Sequence, residues 1–485
     1  AMRKTVLAGL ALFLLFLPAN AQQPDPVSKY LELARTAMEA QIKAGDALLA
    51  MGDTQGALRA YEKAVAIFRD ASKRERRWRP APAGPEAVPG DPFSGPVPEV
   101  SKDQNQAVQL GLRWLAAHQD VDAAGNWDCD GFTKHDPPDD LSRGPGSAHY
   151  DVGVTGLATL AFLGAGYTDR GTKRDNPYAR NVRMALRYLT TIQDEEGCFG
   201  PRASQHYMYN HALATLALCE AWAQTRNPRY KRPAQDGLNF LAKARNPYMA
   251  WRYGVRLGDN DTSVTTWAVL ALRSGKYGGL DVDPDAFEGA RAWIDKMTDP
   301  DYGKVGYLMP GGSSARPEAL VDKFPADRTE SMTAAGILVR LATGETPESA
   351  IVRKGADLCL KMPPVWNPDA GTIDMYYWLH GTLAMYQVGG EHWRRWVAFL
   401  LKAALEHQHP KNSGSRTGSW DPVGPWGPDG GRVYATAVMT MALEIAFRYD
   451  KSLAMGKPGG ARLIDVDELE DTAGEDDSSP RRRRR

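Results

Sequence analysis

The sequence predicts an all-α protein, an α/α6 toroid of six outer and six inner helices with an N-terminal helical hairpin in front of it. Three observations predict this fold. Along residues 100–450, helices with one apolar face alternate with helices that are apolar nearly all round. No segment shows the two-residue period of a β-strand, and the loops repeat one motif. A helix that is apolar on every side must be buried on every side, so the alternation predicts two concentric rings around a central cavity.

The first 21 residues have the three parts of a secretory signal peptide. Arg3 and Lys4 precede an apolar run over 6–17, and small residues at 19–21 form a cleavage site. The apolar run is too short to span a bilayer comfortably, and no cysteine at the cleavage site indicates a lipid anchor. We therefore expect an exported protein, periplasmic or extracellular, with no transmembrane segment in the mature chain.

Residues 26–76 are predicted to form a helical hairpin. Small residues that would let two helices approach closely recur at Gly45, Gly52, Ala57 and Ala64. The pattern resembles one tetratricopeptide repeat, and a single repeat would have to dock on the main domain, a partner or itself. The alternative is an amphipathic hairpin with a coincidental spacing.

Low-complexity segments flank the toroid, and the overall charge is balanced. Residues 79–99 carry seven prolines and are predicted to form a semi-rigid linker. Residues 451–485 contain an acidic block and end in five arginines, so we expect a disordered tail. The chain has 59 Lys and Arg against 59 Asp and Glu, and this zero net charge argues against a nucleic-acid partner.

The loops between predicted helices share a glutamine, a glycine and an aromatic residue. The copies are Gln119 with Gly125 and Trp127, Gln193 with Gly197 and Phe199, and Gln408 with Gly418 and Trp420, while a degraded third copy has Arg245 where glutamine would be. This spacing resembles the QW repeats of the terpenoid cyclase and protein prenyltransferase superfamily, which includes the squalene-hopene cyclases. The resemblance implies an α/α toroid whose cavity binds an apolar, isoprenoid-like ligand or a protein partner.

The acid that such cyclases use is missing from this sequence. The resemblance implies a D-x-D-D motif followed by threonine, whose middle aspartate protonates an alkene. Aligned on Asp261 and Thr262, the position of the acid is occupied by Asn260, and an amide cannot donate that proton. We therefore expect no protonation-type cyclisation of squalene.

The prenyltransferase part of the resemblance raises the question of zinc. Its Asp-x-Cys position is occupied here by Glu196 and Cys198, and Cys198, His206 and His211 are the weak candidate ligands. Histidines that make ordinary hydrogen bonds are the favoured interpretation, so no cofactor is predicted and zinc stays a minor alternative. Cys129 and Cys198 lie in equivalent loops, and the sequence leaves open whether they form a disulfide.

Polar residues at the starts of inner helices are the candidate site. Asp151, Asp261 and Asp374 fall at equivalent positions and would lie on one rim of the cavity, although an aspartate there is also a good helix cap. The segment 374–380 places a carboxylate, two phenols and an imidazole within two turns. The candidate cavity residues are Asp151, His206, His211, Asp261, Asp374, Tyr376, Tyr377 and His380, of which Asp261, Asp374 and His380 are weak catalytic candidates.

Two classes of function remain open at this point. The first is an exported toroid that binds an apolar ligand or a protein partner in its cavity. The alternative is a secreted α/α-toroid enzyme that acts on a polysaccharide as a lyase or hydrolase. That alternative requires paired carboxylates, or a tyrosine and a histidine, on one groove. Trp127 and Trp420, each followed by an aspartate in its loop, could stack on a sugar, although closing the turn of the repeat is their favoured role; Trp426 is another loop residue on offer. The sequence does not decide whether chemistry occurs.

Overall fold

A computed structural model of the chain describes residues 36–67, apart from positions 38, 42, 45, 49, 52, 61 and 65, and residues 102–448, apart from positions 173 and 205. The predicted signal peptide, the linker at 79–99 and the tail at 451–485 lie outside the described residues. The chain divides into two units, Ala1–Gly90 and Asp91–Arg485.

The first unit is helical on both sides of a turn. Helical residues occupy 36–50 and 54–67 where the structure describes them, and the chain turns at Met51 and Asp53. The Asp53 carboxylate accepts a hydrogen bond from the Gly56 N–H at 2.8 Å, which caps the second segment. Ala57 and Ala64 are buried as the close-approach pattern predicts, whereas Gly45 and Gly52 lie outside the described residues. The tetratricopeptide-like character of this unit stays a prediction.

The second unit contains twelve α-helices within its described residues, and we number them α1 to α12. The odd-numbered, outer helices are α1 Lys102–Ala117, α3 Ala179–Thr191, α5 Pro228–Ala244, α7 Pro284–Met297, α9 Ala350–Lys361 and α11 Gly390–Leu405. The even-numbered, inner helices are α2 Asp151–Gly164, α4 Tyr207–Thr225, α6 Thr262–Tyr277, α8 Ser331–Ala342, α10 Met375–Val388 and α12 Gly427–Arg448.

The inner helices form a closed ring. Each packs against the next inner helix along the chain, and α12 packs against α2 to close the circle. In α2 every residue from Val152 to Gly164 is buried, as expected for a helix that is apolar nearly all round. The predicted α/α6 toroid is confirmed, and no strand occurs in the described parts of the chain.

Two helix starts lie five residues before those that the apolar spacing predicts, which are the starts of 233–244 and 432–449. Helix α5 begins five residues before the predicted position 233, because Asn227 caps it and Pro228 occupies its first turn. Helix α12 begins at Gly427 rather than at 432, and it is kinked at Gly431, whose φ of 64° is left-handed. The second difference matters for function, because it brings five more residues, 427–431, into the start of an inner helix.

The repeated loop motif forms a hydrogen-bonded staple between neighbouring helical pairs. Gln119 Nε2 donates to the carbonyl of Gly125 in its own loop at 2.7 Å and to the carbonyl of Asn181 at the next outer helix at 3.0 Å. Trp127 Nε1 donates to the carbonyl of Leu115 at the end of α1, at 2.7 Å. The staple therefore satisfies carbonyl groups that the helix end leaves free, and it fixes one repeat to the next.

The same staple recurs around the ring. Gln193 and Gln408 each donate to a loop glycine and to the next outer helix, and Trp420 Nε1 donates to the Ala404 carbonyl at 2.8 Å. In the degraded third copy, Trp251 Nε1 still donates to the Leu241 carbonyl, although Arg245 replaces the glutamine. The motif is therefore a structural device of the ring.

The cysteines form no disulfide in the described residues. Cys129, Cys198, Cys219 and Cys359 are all free thiols buried in the helical core. Burial raises the pKa of each thiol, so the thiolate needed for disulfide exchange is disfavoured. Cys129 and Cys198 lie in two different repeats and are not paired.

None of the described helices has the length and apolar character needed to cross a membrane.

Glu220 on α4 should make the free energy of unfolding depend on pH. Its carboxyl is fully buried, and burial raises its pKa from 4.5 to about 8, against the opposing hydrogen bond from Gln224. The folded protein therefore holds this proton where the unfolded chain releases it. We expect the free energy of unfolding to fall as pH rises from about 4.5 to about 8. Chemical denaturation of the Glu220→Gln variant should show a weaker pH dependence over this range, and an unchanged slope would contradict the assignment.

Candidate functional site

A cavity of about 350 Å³ lies inside the ring. The first turns of all six inner helices, or the residues just before them, contribute to its wall, together with Tyr253, Tyr307 and the loop at 314–317. Six tyrosines, two tryptophans and His206 line it. A cavity of this size at the mouth of a ring, with aromatic walls and a few polar groups, has the character of a small-molecule binding site.

Two aromatic side chains on this wall have polar atoms without partners. Trp426 Nε1 and Tyr434 Oη are buried and have no hydrogen bond within the described part of the chain. Buried polar atoms are nearly always paired in folded proteins, so unpaired ones on a cavity wall are available to a ligand. Trp426 comes from the loop before α12, and Tyr434 from the turn that follows the kink at Gly431.

A histidine, a tyrosine and a carboxylate come together on one side of the cavity. His206 Nδ1 lies 3.3 Å from Tyr150 Oη. Burial, and then the positive charge of Arg252, lowers the pKa of His206, so its imidazole is neutral at pH 7. Burial, and then the negative charge of Asp429, raises the pKa of Tyr150 to about 12. Burial also raises the pKa of Asp429, and its carboxylate makes no hydrogen bond within the described residues.

A second group of polar side chains backs the same wall. Tyr253 Oη and Tyr307 Oη are 2.5 Å apart, and the Tyr253 ring stands edge-on to His206 with centroids 4.3 Å apart. Asp261 is fully buried behind them: one oxygen accepts from the Val264 N–H at 2.8 Å and the other lies 3.8 Å from Arg252 Nε. Burial raises the pKa of Asp261 to about 7, against the opposing effects of the Val264 N–H and Arg252.

An ion pair occupies another part of the wall. Arg316 Nη2 donates to Asp374 Oδ2 at 2.8 Å, and both side chains are almost completely buried. Asp374 also caps α10 by accepting from the Tyr377 N–H at 3.1 Å, so it serves as the predicted cap and as a partner of Arg316. Both oxygens of the Asp374 carboxylate therefore already have hydrogen-bond partners.

Of the candidate residues that follow Asp374, one lines the cavity and two are buried in the core. Tyr376 lines the cavity, and its Oη lies 2.7 Å from Ser263 Oγ. His380 is fully buried beneath Tyr376, with Nδ1 2.9 Å from the Tyr376 carbonyl and Nε2 unpaired within the described chain. Tyr377 points away, because its Oη donates to the Cys359 carbonyl at 3.0 Å.

Two other predicted residues lie away from the cavity. His211 is buried between Phe199 and Phe240, where Nδ1 accepts from the Phe199 N–H at 3.2 Å and Nε2 lies 3.1 Å from the Gly237 carbonyl. Asp151, the first residue of α2, accepts from the Cys129 N–H at 2.8 Å. Both therefore have structural contacts, and they do not line the cavity.

The weak zinc candidates do not assemble. Both nitrogens of His211 are engaged in the core, whereas His206 lies on the cavity beside Tyr150. In the described residues, one group of three potential ligands has its atoms within 4.8 Å of one another, and it consists of Asp128, Asp130 and Asp151. Asp128 and Asp130 lie in the first loop, where Lys134 pairs with Asp128, and Asp151 begins α2.

Several cavity residues were not among the predicted candidates. Asp429 was missed because the sequence placed the start of the last inner helix three residues later. Arg316, Tyr253 and Tyr307 come from loops, which carry no periodic signal. The loop tryptophans Trp127 and Trp420 close turns, the favoured of their two predicted roles, whereas the loop residue Trp426 lines the cavity.

No family model matches the chain, and no curated protein matches it. Among solved structures, the chain is similar to the alpha-1,6-mannanase GH76A of Salegentibacter sp. HEL1_6. An inactive variant of that protein in complex with alpha-1,6-mannotriose shares 12% identity at a TM-score of 0.47 over 71% of this chain and 98% of that one. A second structure of the mannanase shares 13% identity at a TM-score of 0.46, over 70% and 98%.

The comparison corrects the predicted relationship to terpenoid cyclases and prenyltransferases: the solved structures that it finds similar to this chain are mannanases. The prediction of an apolar, isoprenoid-like ligand depended on that relationship and is wrong as well. The physical reason lies in the staple, whose glutamine and aromatic residue hold helical pairs together. Such a motif reports architecture rather than chemistry. Asn260, which aligned with the cyclase acid, has a loop role, because its Oδ1 accepts from the Ala250 N–H at 2.9 Å.

Proposed function

We propose that this protein is an exported enzyme that hydrolyses a polysaccharide and binds a sugar unit in the central cavity. The observation that carries the proposal is an aromatic cavity wall with unpaired polar atoms, Trp426 Nε1 and Tyr434 Oη, beside the uncommitted carboxylate of Asp429. A sugar ring offers apolar C–H faces to stack on aromatic rings and hydroxyls to pair with such polar atoms. An apolar ligand would leave these atoms unpaired, at a cost of about 1–3 kcal/mol for each.

The acid–base pair for hydrolysis would be Asp429 and His206. Asp429, whose pKa is raised, donates its proton to the glycosidic oxygen as the bond from that oxygen to the anomeric carbon breaks. A water oxygen forms the new bond to the anomeric carbon, and its proton passes to the neutral imidazole of His206. Tyr150 would position His206 through the 3.3 Å contact between Oη and Nδ1, and it lies near enough to Asp429 for that charge to raise the pKa of Tyr150.

The lyase alternative fits the cavity less well. Elimination from a uronate requires a group that neutralises the sugar carboxylate. Arg316 is the cationic side chain among the described cavity residues, and its charge is already balanced by Asp374. Hydrolysis has no such requirement, so the cavity favours it.

Removing the unpaired polar atoms should weaken sugar binding. We expect Trp426→Phe and Tyr434→Phe each to lower affinity about 3- to 10-fold, the size of one lost hydrogen bond. Isothermal titration should be run with a panel of neutral trisaccharides, including mannotriose, cellotriose and chitotriose. Digestion of the corresponding polysaccharides, followed by release of reducing ends, identifies the substrate.

The matched control is Tyr302→Phe, because Tyr302 is partly exposed and lies outside the cavity. This variant should bind every sugar as the wild-type protein does. Failure of the wild-type protein to bind any sugar of the panel would refute the proposed function. Unchanged affinity in both cavity variants would remove the observation on which it rests.

A further inference from the structure

Arg316 contributes a guanidinium to the cavity wall, but all three of its nitrogens are engaged. Nε donates to the Phe324 carbonyl at 3.0 Å, Nη1 to the Ala315 carbonyl at 3.0 Å, and Nη2 to Asp374 Oδ2 at 2.8 Å. The guanidinium carbon lies 6.0 Å from the centre of the Trp426 ring. The guanidinium therefore lies near the Trp426 ring in the cavity wall, and the Asp374 carboxylate balances its charge.

Asp374 is placed to balance that charge permanently. Its side chain is 2% exposed and that of Arg316 is 3% exposed, so water screens the pair little. Thr329 Oγ1 donates to the same carboxylate oxygen at 3.1 Å, and the other oxygen caps α10. A carboxylate held by three donors cannot turn away when a ligand enters.

The remaining charges on the wall do not favour an anion. Asp429 carries no balancing cation on its carboxylate within the described residues, and His206 has a lowered pKa and is neutral at pH 7. Arg252 lies behind Tyr253 and pairs with Asp259 at 2.8 Å, so it is not a free cation at the cavity. A sugar carboxylate would therefore meet Asp429 without gaining an ion pair.

We propose that the Arg316–Asp374 ion pair sets the charge selectivity of the cavity, so that it accepts uncharged sugars and rejects uronates. Asp374 is thus a specificity-determining residue that acts through Arg316 and does not touch the ligand. This inference rests on the proposed function and adds the substrate class to it.

The test compares each neutral trisaccharide with its uronate counterpart, for example mannotriose with mannuronate trisaccharide and galactotriose with trigalacturonate. Isothermal titration at low ionic strength gives the ratio of the two affinities. We expect the wild-type protein to bind the neutral member at least about tenfold more tightly, because the uronate carboxylate would be desolvated without a free cation to pair with. In Asp374→Asn, the amide oxygen can still cap α10, and Arg316 becomes an unbalanced cation. The ratio should then shift toward the uronate by about tenfold or more.

The control and the second variant separate this effect from a general loss of folding. Asp283→Asn removes the charge of another helix-capping aspartate, on the outer helix α7, and should leave the ratio unchanged. Arg316→Gln leaves Asp374 as an unbalanced carboxylate near the cavity, so uronate affinity should fall further relative to the neutral sugar. This variant supplies the test if Asp374→Asn does not fold.

The possible failures are distinguishable. If no sugar binds, the proposed function fails and this inference fails with it. If the wild-type protein binds uronates as tightly as neutral sugars, the proposed function stands and the inference is overturned. A folded Asp374→Asn variant with the wild-type ratio would also overturn it, as would an unchanged ratio in Arg316→Gln.

Discussion

Replacing Asp429 by asparagine is expected to lower kcat for polysaccharide hydrolysis by about 100- to 10,000-fold, the contribution of a positioned general acid. Asparagine has nearly the same size as aspartate and keeps a polar side chain on the wall. It cannot protonate the glycosidic oxygen, so the transition state loses stabilisation while the bound sugar keeps its stacking contacts. We therefore expect KM and trisaccharide affinity to change less than fivefold, and steady-state kinetics to separate the two effects.

The pH profile provides an independent measure of the same assignment. The required forms are a protonated Asp429, whose pKa is raised from 3.8, and a neutral His206, whose pKa is lowered from 6.5. Activity should fall at low pH as His206 gains a proton and at high pH as Asp429 loses one. The bell should therefore have an acid limb set by His206 and an alkaline limb set by Asp429. In Asp429→Asn the residual activity should lose the alkaline limb.

A matched control is Asp327→Asn, because Asp327 is exposed, lies in a short 3-10 turn outside the cavity, and has its ion pair with the exposed Arg328 at a distance of 4.0 Å. Its activity and pH profile should equal those of the wild-type protein. If Asp429→Asn retained wild-type kcat and both limbs of the profile, Asp429 would not be the acid, although the protein could still be a hydrolase.

The ring was predictable because its signal is periodic and repeated. An inner helix such as α2 is apolar on every face, and an outer helix such as α3 is apolar on one face, so the alternation can be read without knowing any contact. Six repetitions of this pattern leave few arrangements that bury every apolar face. The largest errors were at two helix starts, where the helices containing Pro228 and Gly431 begin five residues before the predicted positions.

The site was predicted less well, because equivalent positions in a repeat do not perform equivalent work. Asp151, Asp261 and Asp374 all begin or cap inner helices, yet one contacts a loop N–H, one is buried beside Arg252 and one pairs with Arg316. The position of a residue in its repeat predicts that it lies on the rim of the cavity. It does not predict the residue's hydrogen-bond partner, because that partner can come from a loop such as the one at 314–317, whose path the sequence pattern does not specify. The candidate acid Asp429 was hidden for a similar reason, since the kink at Gly431 interrupts the helical period just after it.

The loop motif shows how a correct prediction of fold can accompany a wrong prediction of relatives. Any ring built from helical pairs must tie each pair to the next and satisfy the carbonyls at helix ends. A glutamine that reaches two carbonyls and an indole that reaches a third meet this requirement within one loop. The glycine is equally constrained, because Gly125 has a φ of 93° and an added Cβ would lie 2.4 Å from the Met184 carbonyl oxygen. The spacing of these residues therefore follows from the geometry of the ring.

If the staple holds the ring together, its removal at one joint should be costly. We expect Trp127→Ala to lower the free energy of unfolding by about 3–5 kcal/mol, the range for deleting a large buried aromatic side chain. Trp127 is fully buried, stacks near Phe162 and donates to the Leu115 carbonyl, so the variant loses packing and leaves a helix-end carbonyl unpaired. Equilibrium denaturation followed by circular dichroism gives the change.

Two further variants show whether the hydrogen bonds or the packing dominate at this joint. Gln119→Ala removes two donors with little buried apolar volume, and it should cost about 1–3 kcal/mol because the carbonyls of Gly125 and Asn181 lose their partner. Trp366→Ala is the matched control, because Trp366 is a partly buried tryptophan in a loop outside the staples, stacked on His407. A loss below about 1 kcal/mol for Trp127→Ala, or a larger loss for the control, would mean that the repeated loop is dispensable. Closure of the ring would then depend on the packing of the inner helices alone.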